Sequence, residues 1–128
     1  MPHTDVVFYR EAEGDVPVLG WLKTLRRADL RAYVKCIAGI ERLGELGHEL
    51  RRPLADFLRD DIHELRMRQG RVNYRILYFF HGRTVAVLAH AITKEGEVPG
   101  VEIERAIRRK SAFVSNPGGH SYTEQEES

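Results

Sequence analysis

The period of the apolar positions changes along the chain, and each change marks an element. Residues 6–9, Val-Val-Phe-Tyr, form a β-branched and aromatic run closed by the polar stretch 10–14, which predicts an opening strand. Asp15 stands where it can cap a helix that takes Pro17 in its first turn and carries Val18, Leu19, Trp21, Leu22 and Leu25. A second cap, Asp29, precedes Leu30, Tyr33, Val34, Ile37, Ile40 and Leu43. Their spacing of three and four puts them on one face of a longer helix, ended by Gly44 and Gly47. Cys36 lies beside this stripe and reads as a small residue near the core.

Beyond Pro53 the period falls to two. Over residues 62–68, Glu64, Arg66 and Arg68 share one face of a strand and His63, Leu65 and Met67 the other. Gln69-Gly70 turns into a long aromatic and aliphatic strand over residues 72–80, and His81-Gly82-Arg83 turns again into residues 84–93, completing an antiparallel meander. Pro99 and Gly100 precede Val101, Ile103, Ala106 and Ile107, the spacing of a terminal helix running to about Phe113. The prediction is an α+β fold in the order β-α-α-β-β-β-α, a small, mostly antiparallel sheet with the two N-terminal helices packed on one face and a C-terminal helix. One domain is expected over residues 1–114, followed by a flexible acidic C-terminal tail over residues 115–128, where no periodic apolar set occurs. The sheet face away from the helical pair is left to carry function.

Composition agrees with one core: 128 residues, 42% hydrophobic and 30% charged. A net charge of +1 taken whole argues against a dedicated polyanion binder, but it conceals a division. Residues 1–50 balance to −1, residues 51–110 to +5 and residues 111–128 to −3, and 16 of the 20 basic residues are Arg. Arginine offers a rigid fork suited to phosphate, although a GC-rich genome produces the same bias. A single cysteine cannot form an internal disulfide, and no run approaches the roughly 18 apolar residues of a membrane span. A soluble cytoplasmic protein with no membrane partner is expected.

Six histidines invite a metal, yet His48-Glu49 and His63-Glu64 are followed, four residues after each His, by Arg52 and Met67 rather than a second ligand. No metal and no other cofactor is expected. Phosphate-cradling glycine loops and nucleophile elbows are absent from the sequence as well. Cationic groups on the meander stand out instead. Arg66 and Arg68 project from one strand, Arg75 interrupts the apolar run of the next, and Lys94 follows the last. An arginine within such a strand must reach water, a carboxylate or a ligand. The ordinary alternative is that Arg66 and Arg75 pair with Glu64, Asp60 or Asp61.

Taken in order, Ile62-His63-Glu64-Leu65-Arg66, Tyr74-Arg75-Ile76-Leu77-Tyr78-Phe79, His90-Ala91-Ile92-Thr93-Lys94, Pro99 and Glu102-Ile103-Glu104-Arg105-Ala106 resemble the HigB-type, phage-related branch of the RelE/ParE toxin superfamily. The resemblance implies a RelE-like fold and a bacterial type II toxin that cuts ribosome-bound messenger RNA. It further implies a cognate antitoxin, HigA-type with a helix-turn-helix, as partner, besides ribosome and message. It assigns Arg66, Arg75 and Lys94 to catalysis; Arg68, Arg71 and His90 are expected beside them as RNA contacts. A 2′-OH attacking the adjacent phosphorus needs alignment and charge stabilisation, which such cations supply without a metal. The C-terminal helix has Ile103 where several relatives use a Tyr, so the general base is unassigned, with His63 and His90 as titratable candidates. A ParE-like inhibitor of DNA gyrase and an inactive, antitoxin-binding member are the rival expectations. Basic residues Arg105, Arg108, Arg109 and Lys110 attract either acidic groups of an antitoxin or ribosomal RNA, or form a solvated helix face.

Overall fold

The computed structural model describes residues 3–93 and 97–123. It is a mixed α+β fold: β1 (Asp5–Tyr9), α1 (Pro17–Ala28), α2 (Leu30–Leu46), β2 (Ala55–Arg59), β3 (Ile62–Gln69), β4 (Val72–His81), β5 (Val85–Thr93), α3 (Gly100–Ser115) and β6 (Ser121–Tyr122). The strands form one sheet in the order β2-β3-β4-β5-β1-β6, antiparallel throughout except where β1 lies parallel to β5.

The N-terminal caps of the two helices differ. Asp29 caps α2 as expected, its carboxylate accepting from the Ala32 amide at 3.2 Å, and Gly47 takes the positive φ that closes the same helix. Asp15 does not cap α1; Val16 holds that position, because Pro17 at the first helical residue has no N–H and already carries a helical φ. The apolar stripes of α1 and α2 cover one sheet face, where Val18, Leu22, Cys36 and Leu43 meet Leu65, Ile76, Tyr78 and Leu88. On the opposite face Ala106 and Phe113 of α3 pack on Ile62, Leu77, Phe79 and Val87. That face is therefore half roofed rather than free.

Two strands escape the sequence pattern. β2 pairs antiparallel with β3 through the two-residue turn Asp60-Asp61, both residues at positive φ, 51° and 66°, the sign a type I′ hairpin requires at both positions. Ala-Asp-Phe-Leu-Arg has neither strong alternation nor a glycine at its turn, so nothing local announces it. β6 pairs with β1, so the chain beyond Ser115, expected to be a loose tail, continues instead through a short 3-10 turn into an edge strand; residues 124–128 lie outside the described residues. Among the described residues, no helix is long and apolar enough to cross a membrane.

Candidate functional site

β3 and β4 pair so that Arg66 lies directly opposite Arg75 and Glu64 opposite Leu77. Like charges facing each other across a ladder repel, and a carboxylate relieves them here. Arg75 Nη1 donates to Glu64 Oε1 at 3.2 Å, and Arg66 Nε lies 3.6 Å from Glu64 Oε2. The alternation of charge continues outward: Arg66 Nη2 is 3.7 Å from Asp56 Oδ2, which Arg52 Nε approaches at 3.1 Å from the exposed edge. Glu64 is 4% accessible, Arg75 11% and Arg66 36%. The ordinary pairing with Glu64 is thus present, while Asp60 pairs with Arg59 and Asp61 with Lys110.

Burial raises the Glu64 carboxyl above its usual value against the pull of Arg75 and Arg66, so desolvation outweighs both neighbouring charges. The buried Nε atoms of Arg66 and Arg75 have no hydrogen-bond partner among the described residues. A buried unsatisfied donor costs about 1–3 kcal/mol, a cost that the approach of Arg66 Nε to Glu64 Oε2 at 3.6 Å offsets in part. These groups border a cavity of about 520 Å³ lined also by Leu58, Asn73, Glu97 and Val98.

His90 reaches the same sheet face by a change of phase. Leu77 pairs with His90 but Tyr78 with Leu88, so Ala89 is an extra residue, a β-bulge. Without it, His90 would follow Ala86 and Leu88 onto the α1/α2 face; with it, Glu64, Leu77 and His90 form one row across three strands. The imidazole is buried under α3. Arg109 Nη1 lies 3.1 Å from Nδ1, and because a guanidinium only donates, Nδ1 accepts and Nε2 carries the hydrogen, which points at Glu102 Oε1 2.5 Å away. Burial lowers the His90 pKa, Glu102 opposes this and Arg109 adds to it. Arg109 also bonds the Ala89 carbonyl at 2.9 Å and Glu11 at 3.2 Å, tying α3 to β5 and to the loop after β1 rather than standing on a solvated face.

Arg66 and Arg75 are therefore brought together, on the face where His90 also lies. Arg68 sits further along that face of β3, exposed, its Nε donating to the Gly70 carbonyl at 3.0 Å, and Arg71 occupies the hairpin loop. Lys94 lies outside the described residues. His63 is on the opposite, α2-facing side, stacked on Tyr78. Glu64, noticed in the sequence only as a pairing partner, is the most buried charged group of the arrangement; its signal was its place two residues before Arg66 on the same strand face. His90's position had none, since a bulge leaves no trace in alternation.

Residues 23–111 match the family described as phage derived protein Gp49-like (DUF891). No curated protein matches the chain. The match corrects the resemblance to the HigB-type branch of the RelE/ParE superfamily. Glu-Leu-Arg in β3, the aromatic run of β4 and the first turn of α3 are patterns that a two-faced meander with a flanking amphipathic helix imposes on any such chain. They describe architecture more than lineage. The segment carrying Glu64, Arg66, Arg75 and His90 falls wholly inside the matched region, and the chain belongs to the phage-derived Gp49-like (DUF891) family.

Proposed function

We propose that the protein is an endoribonuclease that cuts messenger RNA on the ribosome and so inhibits translation, the toxic member of a pair whose antitoxin silences it. One observation carries this reading: the guanidinium groups of Arg66 and Arg75 flank a buried carboxylate of raised pKa at the edge of an open cavity. A phosphodiester seated there receives N–H bonds from the guanidinium groups of Arg66 and Arg75 on its non-bridging oxygens. Glu64 takes the proton of the 2′-OH as O2′ forms its bond to phosphorus, and the bond to the 5′ oxygen breaks. The products are a 2′,3′-cyclic phosphate and a 5′-OH once the leaving oxygen is protonated; Lys94 is assigned to that oxygen on its sequence position alone. The ion pairs with Glu64 hold the guanidinium groups in place before substrate arrives, so little ordering remains to be done at binding.

The test is primer extension on message incubated with ribosomes and the purified protein. Discrete cuts bearing cyclic phosphate are expected, reduced by roughly 10²–10³-fold in Arg75→Ala and Arg66→Ala with circular dichroism unchanged. Intact message overturns the reading; growth arrest with intact message and stalled gyrase would place the protein among non-enzymatic inhibitors, and harmless overproduction among inactive binders.

A further inference from the structure

The other face of the sheet holds a cavity that the proposed reaction does not use. Its volume is about 450 Å³, within the range of small-molecule sites, and rings form its walls. His48 stacks on Phe80 with centroids 3.7 Å and planes 20° apart, His63 stacks on Tyr78 at 5.2 Å and 22°, and Phe57 meets His63 edge-on at 5.3 Å. Phe57 is 54% exposed, a large apolar ring left at the mouth of a concave surface on an edge strand. Among the described residues no hydrogen bond occupies the ring nitrogens of His48 or His63. Burial and the neighbouring His48 hold His63 below its usual pKa, so its ring is neutral near pH 7 and can both donate and accept.

The rim is cationic. Arg51 and Arg52 line the same cavity and both are exposed. Asp56 also lines it, and that carboxylate lies 3.7 Å from Arg66 of the other cavity, so an ion pair links a wall residue of each across the β2 edge. Flat rings beside fixed cations are the chemistry that recognises a base and its phosphate, since every base offers a π-face and every nucleotide an anion. Arg52 pairs with Asp56 yet stays 75% exposed, and Arg51 donates to the His48 carbonyl from an exposed position; an aliphatic ligand would use the rings but neither guanidinium.

We propose that this cavity binds one unpaired nucleobase against the His48, Phe57 and His63 rings, with the attached phosphate on Arg51 and Arg52. As the nucleotide of an RNA strand crossing the β2 edge, it would set which base lies next to the phosphate held by Arg66 and Arg75; this part rests on the ribonuclease reading, whereas the nucleotide site does not.

Titration of the full chain with adenosine 5′-monophosphate and with a short single-stranded oligoadenylate, followed by the imidazole proton resonances of His48 and His63, tests it. Both resonances are expected to shift. Phe57→Ala and His48→Ala, each removing an exposed ring, should weaken binding by roughly 5- to 150-fold, the equivalent of stacking one base. Tighter binding of the oligonucleotide than of the mononucleotide identifies a strand as the source, and equal binding a free nucleotide; either supports the site. No shift with either probe overturns it, as does ribose 5-phosphate binding as well as the mononucleotide, or a tryptophan-bearing peptide shifting the rings where nucleotides do not. Arg75→Ala should leave mononucleotide binding unchanged. Binding without message cleavage therefore sinks only the ribonuclease reading, and cleavage without binding sinks only this site.

Discussion

At Glu64 the sign of the pKa shift separates a structural role from a chemical one. Burial raises this carboxyl despite Arg75 and Arg66, so its ionised form is less favoured in the fold than in the unfolded chain. Its contribution to stability is greatest below the ordinary carboxyl value of 4.5 and is lost as pH rises through the folded value. Gln, which mimics the protonated form, should then leave the unfolding free energy at pH 7 within about 1 kcal/mol of wild type and flatten its acid dependence. The same Glu64→Gln change should cut the rate of message cleavage by roughly 10²–10⁴-fold and remove the acidic limb of the pH–rate profile. Urea unfolding beside single-turnover cleavage checks both; a variant that is strongly destabilised yet fully active would make Glu64 a strut and not a base. The sequence disclosed the residue types here, two Arg and one Glu on one strand face. It did not disclose that Glu64 is buried, because its neighbours there, Leu58 of β2 and Glu97 and Val98 before α3, come from other parts of the chain.

At the scale of elements, the bulge in β5 and the helix above it act as a unit. His90 is surrounded by Glu102, Arg105 and Arg109 of α3, and its neutral form, accepting from Arg109 and donating to Glu102, joins the helix to the sheet. Its pKa is lowered, so the stability it contributes is present above its ordinary value of 6.5 and is lost as pH falls through the folded value. A thermal midpoint level above pH 7 and falling toward pH 5 is expected, with a shallower fall in His90→Gln. His63 shares the sign, and a residual slope should persist in that variant. A profile identical in wild type and His90→Gln would show that α3 docks without regard to the histidine. Strands with clear alternation and helices with clear stripes were legible in the sequence to within a residue or two, as β3, β4 and α2 illustrate. β2 was not, since its pairing depends on two aspartates adopting positive φ, which such residues do only when the rest of the hairpin holds them there.

Over the whole molecule the last described strand lies beside the first. β6 lies on the outer edge of β1. Arg10 N–H donates to the His120 carbonyl at 2.9 Å, His120 Nδ1 lies 2.7 Å from the Arg10 carbonyl, and its ring stacks on Tyr9 with centroids 5.3 Å apart. Truncation after Ser115 should therefore cost about 1–3 kcal/mol, measured by urea unfolding, and leave β1 as an open edge prone to association. A loose tail would be removed at no cost. Composition and polarity suggested that loose tail, because a two-residue strand offers no period to detect; only the neighbouring edge makes it a strand.

By itself the sequence determined the fold class, the helical pair and the meander, and put Arg66 and Arg75 on strands that had to face something other than apolar core. Hydrophobic period is local, and it survives whatever the rest of the chain does. Tertiary structure alone decided the rest: the bulge that turns His90 to the α3 side, the burial that raises Glu64, and the Asp56–Arg66 ion pair that links the aromatic cavity to the one beside Glu64. Each depends on which distant segment covers a side chain, and desolvation, which sets the pKa of Glu64, is a property of the covering and not of the residue.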